Sequence, residues 1–587
     1  MSRLVPSRAI AAVVLAGALI APAEISAQTA LERNLPARDA ADPVSLDIEA
    51  QTFGAADDTP LGVDLVGIHL IGLDEAVAAA PPRGISGSPR GIDAPTLQAA
   101  LLPLLDQPLS LALAGEAQAA IARVYRQAGY PFVSVTLPPQ EVTGGVLQIR
   151  VIEFSAGDVA VSGVDPDHAL DVVSALRIAR GERIDARALE EDLNWLSRSP
   201  YLQAEGVFRP GETTALSDLN VNIVTSRPWQ VSAGWSNSGS EDTGRDRFFL
   251  GLAAGLPVPD GPWGSYQLTT SDDIWRNPGI IVPQAGEFPL YVSHAGRLTI
   301  PTLPRQSLEI APTIVMTRSE PNAFIAFENT TLELPVIYRS AVSNLLPGRY
   351  WGDIYGGVEF KHLQRATYFS NIPVAKGDAD LFQLVLGWNH RLADPWGQTV
   401  LDLRLKANPG GVLQGNNNAS WQSFSNGRVN DASYAYLAFD ISRTTPLPGR
   451  LAWISTLSGT LAGQALPDTE RLSLGGRFAV RGYDHDDASV DSGVLWRNEL
   501  RLPTIPLTGD LQDLPASNIS PYIFADIGTG IDQASKNSTT LGSLGAGLDL
   551  SIGETFSANA FTGVALMDTD TTKTGDWKLQ LSVTARF

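Results

Sequence analysis

The final eleven residues, Trp577 to Phe587, alternate without a slip. Trp577, Leu579, Leu581, Val583, Ala585 and Phe587 are apolar, while Lys578, Gln580, Ser582, Thr584 and Arg586 are polar or charged. Strict alternation predicts a strand with two unlike faces, because successive side chains point to opposite sides. The same pattern recurs upstream. In TVLDLRLK, Leu401, Leu403 and Leu405 alternate with Asp402, Arg404 and Lys406; in DIYGGVEFK, Ile354, Val358 and Phe360 oppose Asp353, Glu359 and Lys361. LFQLVLGW places Phe382, Leu384, Leu386 and Trp388 on one side, and YAYLAFDIS sets Leu437, Phe439 and Ile441 against Asp440 and Ser442. Gly-, Asn-, Asp- and Pro-rich stretches such as QGNNNAS separate them, and no convincing amphipathic helix follows Trp229. Many of these strands run about nine to eleven residues, the length a tilted membrane-crossing strand needs. Charge on one face of successive strands fits a wet lumen with lipid outside. A soluble sandwich or propeller is the competing reading, but no motif recurs at propeller spacing. Residues 228–587 therefore read as a transmembrane antiparallel β-barrel, with Trp577, Leu579, Leu581, Val583 and Phe587 on its closing strand.

Ahead of it the pattern is mixed. GVDLVGIHLIG is a strand candidate, followed by the loop PPRGISGSPRG. Ala117, Ile121, Val124, Tyr125 and Ala128 lie at helical spacing, with Gly129 as the stop. Strands at Phe132 to Leu137 and Val146 to Phe154 complete a small α+β unit over residues 62–154. A second unit over 155–227 has a strand in GDVAVSG, a short helix at Asp167 to Leu176, and a longer helix capped by Asp185 with Leu189, Leu193 and Leu196 as its stripe. Strands at Glu205 to Arg209 and Leu219 to Thr225 close it. At the start, Arg3 and Arg8 precede an apolar run ending in small residues, which reads as a signal peptide over residues 1–27.

Length and charge narrow the classes. A chain of 587 residues exceeds one ordinary core. A net charge of -21 argues against nucleic acid as a partner, since phosphate binding rests on clustered Lys and Arg. With no cysteine, disulfides, thiolate metal sites and cysteine nucleophiles are excluded. The six histidines, His69, His168, His294, His362, His390 and His485, show no metal-ligand spacing, and there is no G-x-S-x-G and no nucleotide-binding P-loop. The DHDD run, Asp484 to Asp487, lacks a calcium-loop pattern and reads as a solvated acidic turn. No metal, cofactor or catalysis is expected.

The most specific segment is RLSLGGRFAVRGYDHDD, Arg471 to Asp487, with IFADIG, Ile523 to Gly528, downstream. Together these resemble the two-partner secretion transporters, the TpsB type of haemolysin secretion/activation protein, within the superfamily of outer-membrane insertases. GYPFVSVTLPPQEVTGGVLQIRV and LSRSPYLQAEGVFRPGETTALSDLNV resemble the ends of that family's two POTRA domains. The resemblance implies two periplasmic POTRA domains and a barrel of about sixteen strands in the bacterial outer membrane. It places a lumenal loop motif at Val480, Arg481, Gly482 and Tyr483, with Gly475 and Gly476 upstream, against a barrel-wall motif at Phe524, Asp526 and Gly528. A salt bridge from Arg481 to Asp526 is implied. Gly475, Gly476 and Gly482 suit tight turns.

The implied function is export of an unfolded partner exoprotein, bearing an N-terminal secretion domain, from periplasm to cell surface without nucleotide. Partner recognition by β-augmentation points to Val133, Val135 and Leu137, and to Leu219, Val221 and Ile223. Outer-membrane lipid is the other partner, and a monomer is expected. A barrel-assembly factor of the same superfamily would usually carry more POTRA domains, and a passive porin would not need them. Residues 28–61 carry Pro36, Pro43 and Pro60 and no sustained apolar stripe, and read as a linker; whether they supply the helical pore plug frequent in the family stays open.

Overall fold

A computed structural model describes residues 57–587 apart from 88–91, 131, 214, 283–287, 348–349 and 508–514. The expected signal peptide, and the linker as far as residue 56, lie outside the described residues.

The first α+β unit contains β1 (Gly67–Ile71), β2 (Gly84–Ser86), α1 (Ala94–Leu101), α2 (Leu111–Gln127), β3 (Val133–Thr136) and β4 (Val146–Glu153). Its sheet order is β2-β1-β4-β3, parallel except for the β3–β4 pair. Leu97, Leu101, Leu113, Ala117, Ile121 and Tyr125 of the helices pack on Ile68, Leu70, Val135, Leu147 and Ile149. Helix α2 ends as its spacing predicts, with Gly129 in the left-handed region at φ +92°. Helix α1 was not expected. Its signals are local: Asp93 accepts from the Thr96 amide at 3.0 Å as N-cap, and Leu97 and Leu101 sit one turn apart on the buried face.

The second unit contains β5 (Ser155–Ser162), α3 (Pro166–Ala175), α4 (Ala186–Leu196), β6 (Leu202–Pro210) and β7 (Leu216–Thr225). Asp185 caps α4 through the amides of Arg187 and Ala188 (3.0 and 3.2 Å), and Leu189 and Leu193 are buried. The sheet order is β5-β7-β6, so β7 is the central strand. The two units are clamped together. The rings of Phe132 and Phe208 lie 4.3 Å apart, Arg183 stacks on Tyr130, and the Ala186 amide donates to the Gly129 carbonyl at 3.2 Å.

The remaining strands are β8 (Trp229–Ser236), β9 (Arg247–Gly255), β10 (Trp263–Thr270), β11 (Tyr291–Pro301), β12 (Gln306–Ile310), β13 (Thr313–Asn322), β14 (Ile325–Ala341), β15 (Asp353–Phe369), β16 (Ile372–Asp394), β17 (Gly397–Asn408), β18 (Tyr434–Leu447), β19 (Leu451–Ala462), β20 (Leu472–Ser473), β21 (Ser489–Val490), β22 (Ser492–Arg501), β23 (Ile505–Pro506), β24 (Ser517–Ile531), β25 (Ser538–Ile552), β26 (Phe556–Ala565) and β27 (Trp577–Arg586). Apart from the β20–β21 pair, they form one closed antiparallel barrel. β12 with β13, and β22 with β23, each make one interrupted strand, so sixteen strands close the wall among the described residues. Closure is the pairing of β27 with β8, Ser582 to Ser236 through Arg586 to Ser232. A closed ladder leaves no backbone edge unpaired in lipid.

The two faces of the wall follow the alternation. Leu405, Leu384, Leu386, Leu437, Ile527, Leu544 and Leu579 are exposed on the outside. Inside, Arg404 pairs with Asp402 (3.1 Å) and Asp440, and Lys406 with Glu359 (2.8 Å). Trp577 is 67% exposed at one end of β27, and Phe587 at the other exchanges backbone hydrogen bonds with Val231. Strand length departs from expectation: β14 and β15 have 17 residues and β16 has 23, so these ladders continue well past the span a bilayer requires. The QGNNNAS stretch also is not wholly loop. Helix α5 (Asn418–Phe424) starts inside it, capped by Asn417 on the Ser420 amide at 3.0 Å, and buries Trp421 and Phe424.

Candidate functional site: the lumenal loop and its wall

The segment between β19 and β22 folds into the barrel rather than away from it. Its flanks pair as β20 with β21, Leu472 opposite Val490 and Ser473 opposite Ser489. Leu472, Leu474, Ala479, Val480, Tyr483 and Val490 then pack on Leu495, Leu541 and Ala565. Val480 and Tyr483 are fully buried. The Val480 amide donates to the Leu474 carbonyl at 2.9 Å, which closes the tip into a tight turn. Gly476 and Gly482 meet this turn with φ of +108° and +99°, a region that favours glycine. Gly475 serves differently: a Cβ there would lie 2.2 Å from the Asp484 carbonyl oxygen.

Arg481 is the centre of the site, with 2% of its surface exposed. Its Nε donates to Asp526 Oδ2 at 2.7 Å and its Nη2 to Asp526 Oδ1 at 2.8 Å. This is the expected pair, and it is bidentate, so it fixes the orientation of the guanidinium plane as well as its distance. Nη1 donates to Glu499 Oε1 at 2.6 Å, and the backbone amide of Arg481 reaches Asp526 Oδ2 at 3.3 Å. The guanidinium carbon sits 3.7 Å from the Phe524 ring centre, and Phe561 meets Phe524 edge-on. Tyr522, Phe524, Asp526 and Gly528 face inward because they are every second residue of β24. Gly528 leaves room for the loop: a Cβ there would stand 3.0 Å from Val480 Cγ2. Removing either partner of this buried pair strands a charge, at a cost of about 3–5 kcal/mol.

The remaining contacts of the tip reach further round the wall. Tyr483 Oη donates to the carbonyls of Gly542 (3.0 Å) and Met567 (2.9 Å) in shared fashion and accepts from the Met567 amide at 3.0 Å. Asp484 receives Lys578 Nζ of β27 at 2.6 Å, and Asp487 is bonded by Thr571 and by Thr572 Oγ1 at 2.7 Å. The DHDD run is thus a solvated acidic turn only at the exposed Asp486. Asp484 and Asp487 are satisfied by protein donors that only the closed barrel brings near, although the carboxylates of Asp484, Asp486 and Asp487 lie within 4.8 Å of one another.

Glu499 and Gly563 belong to the site and were not anticipated. The alternation of Leu495, Arg497, Glu499 and Arg501 along β22 would have put Glu499 on the lumenal face. Gly563 carries no such local signal.

The expected partner-binding strands divide. β3 is an edge of its sheet, with Val133 and Leu137 partly buried and Val135 fully buried. β7 is flanked by β5 and β6, and Leu219, Val221 and Ile223 are core residues. A central strand has no free backbone edge, so Leu219, Val221 and Ile223 are corrected from edge-pairing candidates to packing residues.

The lumen below the loop holds a cavity of about 1330 Å³, lined by Trp195 of α4, by Arg198 just past its end, and by Arg297, Tyr355, Arg404 and Asp440 of the wall. Helix α4 is fastened there. Arg305 Nη1 donates to Asp192 Oδ1 at 2.9 Å, Ser343 Oγ to Glu191 Oε1 at 2.6 Å, and Arg198 Nη2 to Asp353 Oδ2 at 2.6 Å. The second α+β unit therefore sits across one mouth of the barrel. No described helix is long and apolar enough to cross a membrane, which says nothing of strands.

Comparison with known proteins agrees with this architecture. Residues 354–551 match the haemolysin secretion/activation protein family ShlB/FhaC/HecB, and residues 87–153 match the ShlB-type POTRA domain. The chain is 21% identical over 432 residues, 68% of each chain, to the outer membrane transporter CdiB of Dickeya dadantii (strain 3937). It is 31% identical over 131 residues to the heme/hemopexin transporter protein HuxB of Haemophilus influenzae, covering 21% of this chain and 22% of that one. Its fold resembles solved CdiB from Escherichia coli, with a TM-score of 0.67 at 17% identity over 94% of both chains. CdiB from Acinetobacter baumannii superposes with a TM-score of 0.56 at 16% identity over 95% of both. The chain thus resembles the haemolysin secretion/activation family of outer-membrane transporters over residues 354–551 and 87–153, with its barrel in the outer membrane and its POTRA units in the periplasm.

Proposed function

We propose that this protein exports an unfolded partner exoprotein from the periplasm to the cell surface, with the lumenal loop as the gate. The single observation that carries the reading is the buried bidentate pair of Arg481 with Asp526. It holds a folded loop inside the barrel through groups that a rearrangement could release without breaking the wall ladder. The partner's N-terminal secretion domain binds the POTRA units, and the place of β3 as the outermost strand of its sheet supports strand addition there. The chain then passes the cavity beside α4, the loop moves, and folding outside biases transport outward. Relatives named as transporters support a transport role, and the family and the residues suggest no catalytic step.

The test is secretion of a co-expressed partner by wild type and by Arg481→Ala, with heat-modifiable mobility in detergent as the folding control. A folded mutant barrel with the partner retained in the periplasm is the expected result. Unchanged secretion would sink the gate.

A further inference from the structure

The lumenal loop is held to the wall at its base as well as at its tip. At the base of the loop, immediately before β20, Glu470 turns the other way. Its side chain is 1% exposed. Lys361 Nζ of β15 donates to Glu470 Oε1, and Tyr436 Oη of β18 donates to Oε2 at 2.6 Å. Lys406 Nζ of β17 stands 3.8 Å from the same carboxylate, and Thr469 Oγ1 adds a hydrogen bond at 2.9 Å. These strands lie on one flank of the β19–β22 connection. Asp526, Glu499, Gly542 and Lys578, which hold the tip, lie on the other. The loop therefore spans the lumen, offering a cation to one wall and an anion to the opposite wall.

Neighbouring packing reinforces the base. Leu466 is buried with Trp421 and Phe424 of α5 and with Val429. Arg428 reaches the Leu466 carbonyl and pairs with Asp491 at 2.5 Å, so the α5 segment roofs both ends of the loop's stem. Asp491 in turn accepts from the Leu466 amide at 2.9 Å.

From this geometry we infer that Glu470 is a second anchor of the lumenal loop, a positioning residue that keeps its base on the β15–β17–β18 wall and the pore closed. The inference rests on the reading of the loop as the gate. Two oppositely charged anchors hold the loop across the full width.

Conductance of the purified full-length protein in a planar lipid bilayer tests it, with no exoprotein needed. The variants are Glu470→Lys, Glu470→Gln and Arg481→Ala. Glu470→Lys sets a third cation against Lys361 and Lys406 and should raise conductance severalfold. Glu470→Gln removes only the charge, keeps an acceptor for Tyr436, and should give a smaller rise. An unchanged conductance for Glu470→Lys beside a raised one for Arg481→Ala overturns the anchor and leaves the gate standing. Wild-type conductance in both Glu470 variants beside a raised one for Arg481→Ala likewise overturns it. If neither Arg481→Ala nor Glu470→Lys raises conductance, gate and anchor fall together. Should Glu470→Lys lack heat-modifiable mobility, Tyr436→Phe, which deletes one hydrogen bond, takes its place. A smaller rise then supports the anchor, and none overturns it.

Discussion

Gly482 of the loop and Gly563 of β26 face each other with no side chain between them. A Cβ on Gly563 would lie 2.9 Å from the Gly482 amide nitrogen and 2.9 Å from the Arg481 carbonyl oxygen. Both of those atoms are backbone, so neither can swing aside. Gly563→Val should lift the tip off the wall while leaving the β25–β26 and β26–β27 ladders intact. The expected outcome is a folded, heat-modifiable barrel with raised conductance. A folded Gly563→Val barrel with wild-type conductance would show that this approach does not matter.

Charge alone will not replace Arg481. Lysine keeps the positive charge but offers one compact ammonium where the pocket presents Asp526 on one side and Glu499 on the other. Arg481→Lys should therefore retain only a minor part of wild-type secretion. Asp526→Asn preserves shape and removes the carboxylate, at a cost to loop docking of about 3–5 kcal/mol. Protease accessibility of the loop in detergent reads both, and wild-type protection of either variant would contradict the account.

The POTRA sheets separate binding from folding. Val133→Pro on the edge strand should weaken capture of the exoprotein's N-terminal segment. Leu219→Ala on the central strand removes a buried side chain and should cost about 2–5 kcal/mol of stability in the second unit. Thermal unfolding with a binding assay distinguishes them. Loss of binding in Leu219→Ala without loss of stability would return β7 to the list of contact strands.

A pH effect is expected at the entrance. His168 Nδ1 lies 2.6 Å from Asp165, and this hydrogen bond holds the imidazole pKa above its ordinary value. Asp165 is held below the usual carboxylate range by its bonds to His168. The sign follows: a raised folded pKa favours the structured state below the unfolded value, and the contribution is lost as pH climbs through the folded pKa. Ring-proton NMR should find His168 titrating high in wild type and near its ordinary value in Asp165→Asn. Identical titrations would refute the pairing.

The sequence by itself determined the two-faced strands and the α2 and α4 helices with their stop and cap. These are local properties: alternation follows from the pleat, and caps follow from short-range hydrogen bonding. Arg481 and Asp526 were legible through the motif that carries them. Helix α1 follows directly on a Pro- and Gly-rich run that reads as loop, and only the Asp93 cap and the Leu97–Leu101 spacing announce it. Only the tertiary structure decided that β7 is central and β3 an edge, since strand order depends on pairings between distant segments. It alone brought Lys578 and Thr572 to Asp484 and Asp487, Lys361 to Glu470, and Gly563 to Gly482. These residues become neighbours when the wall closes and the loop folds inward, and no spacing along the chain encodes the distance across a barrel.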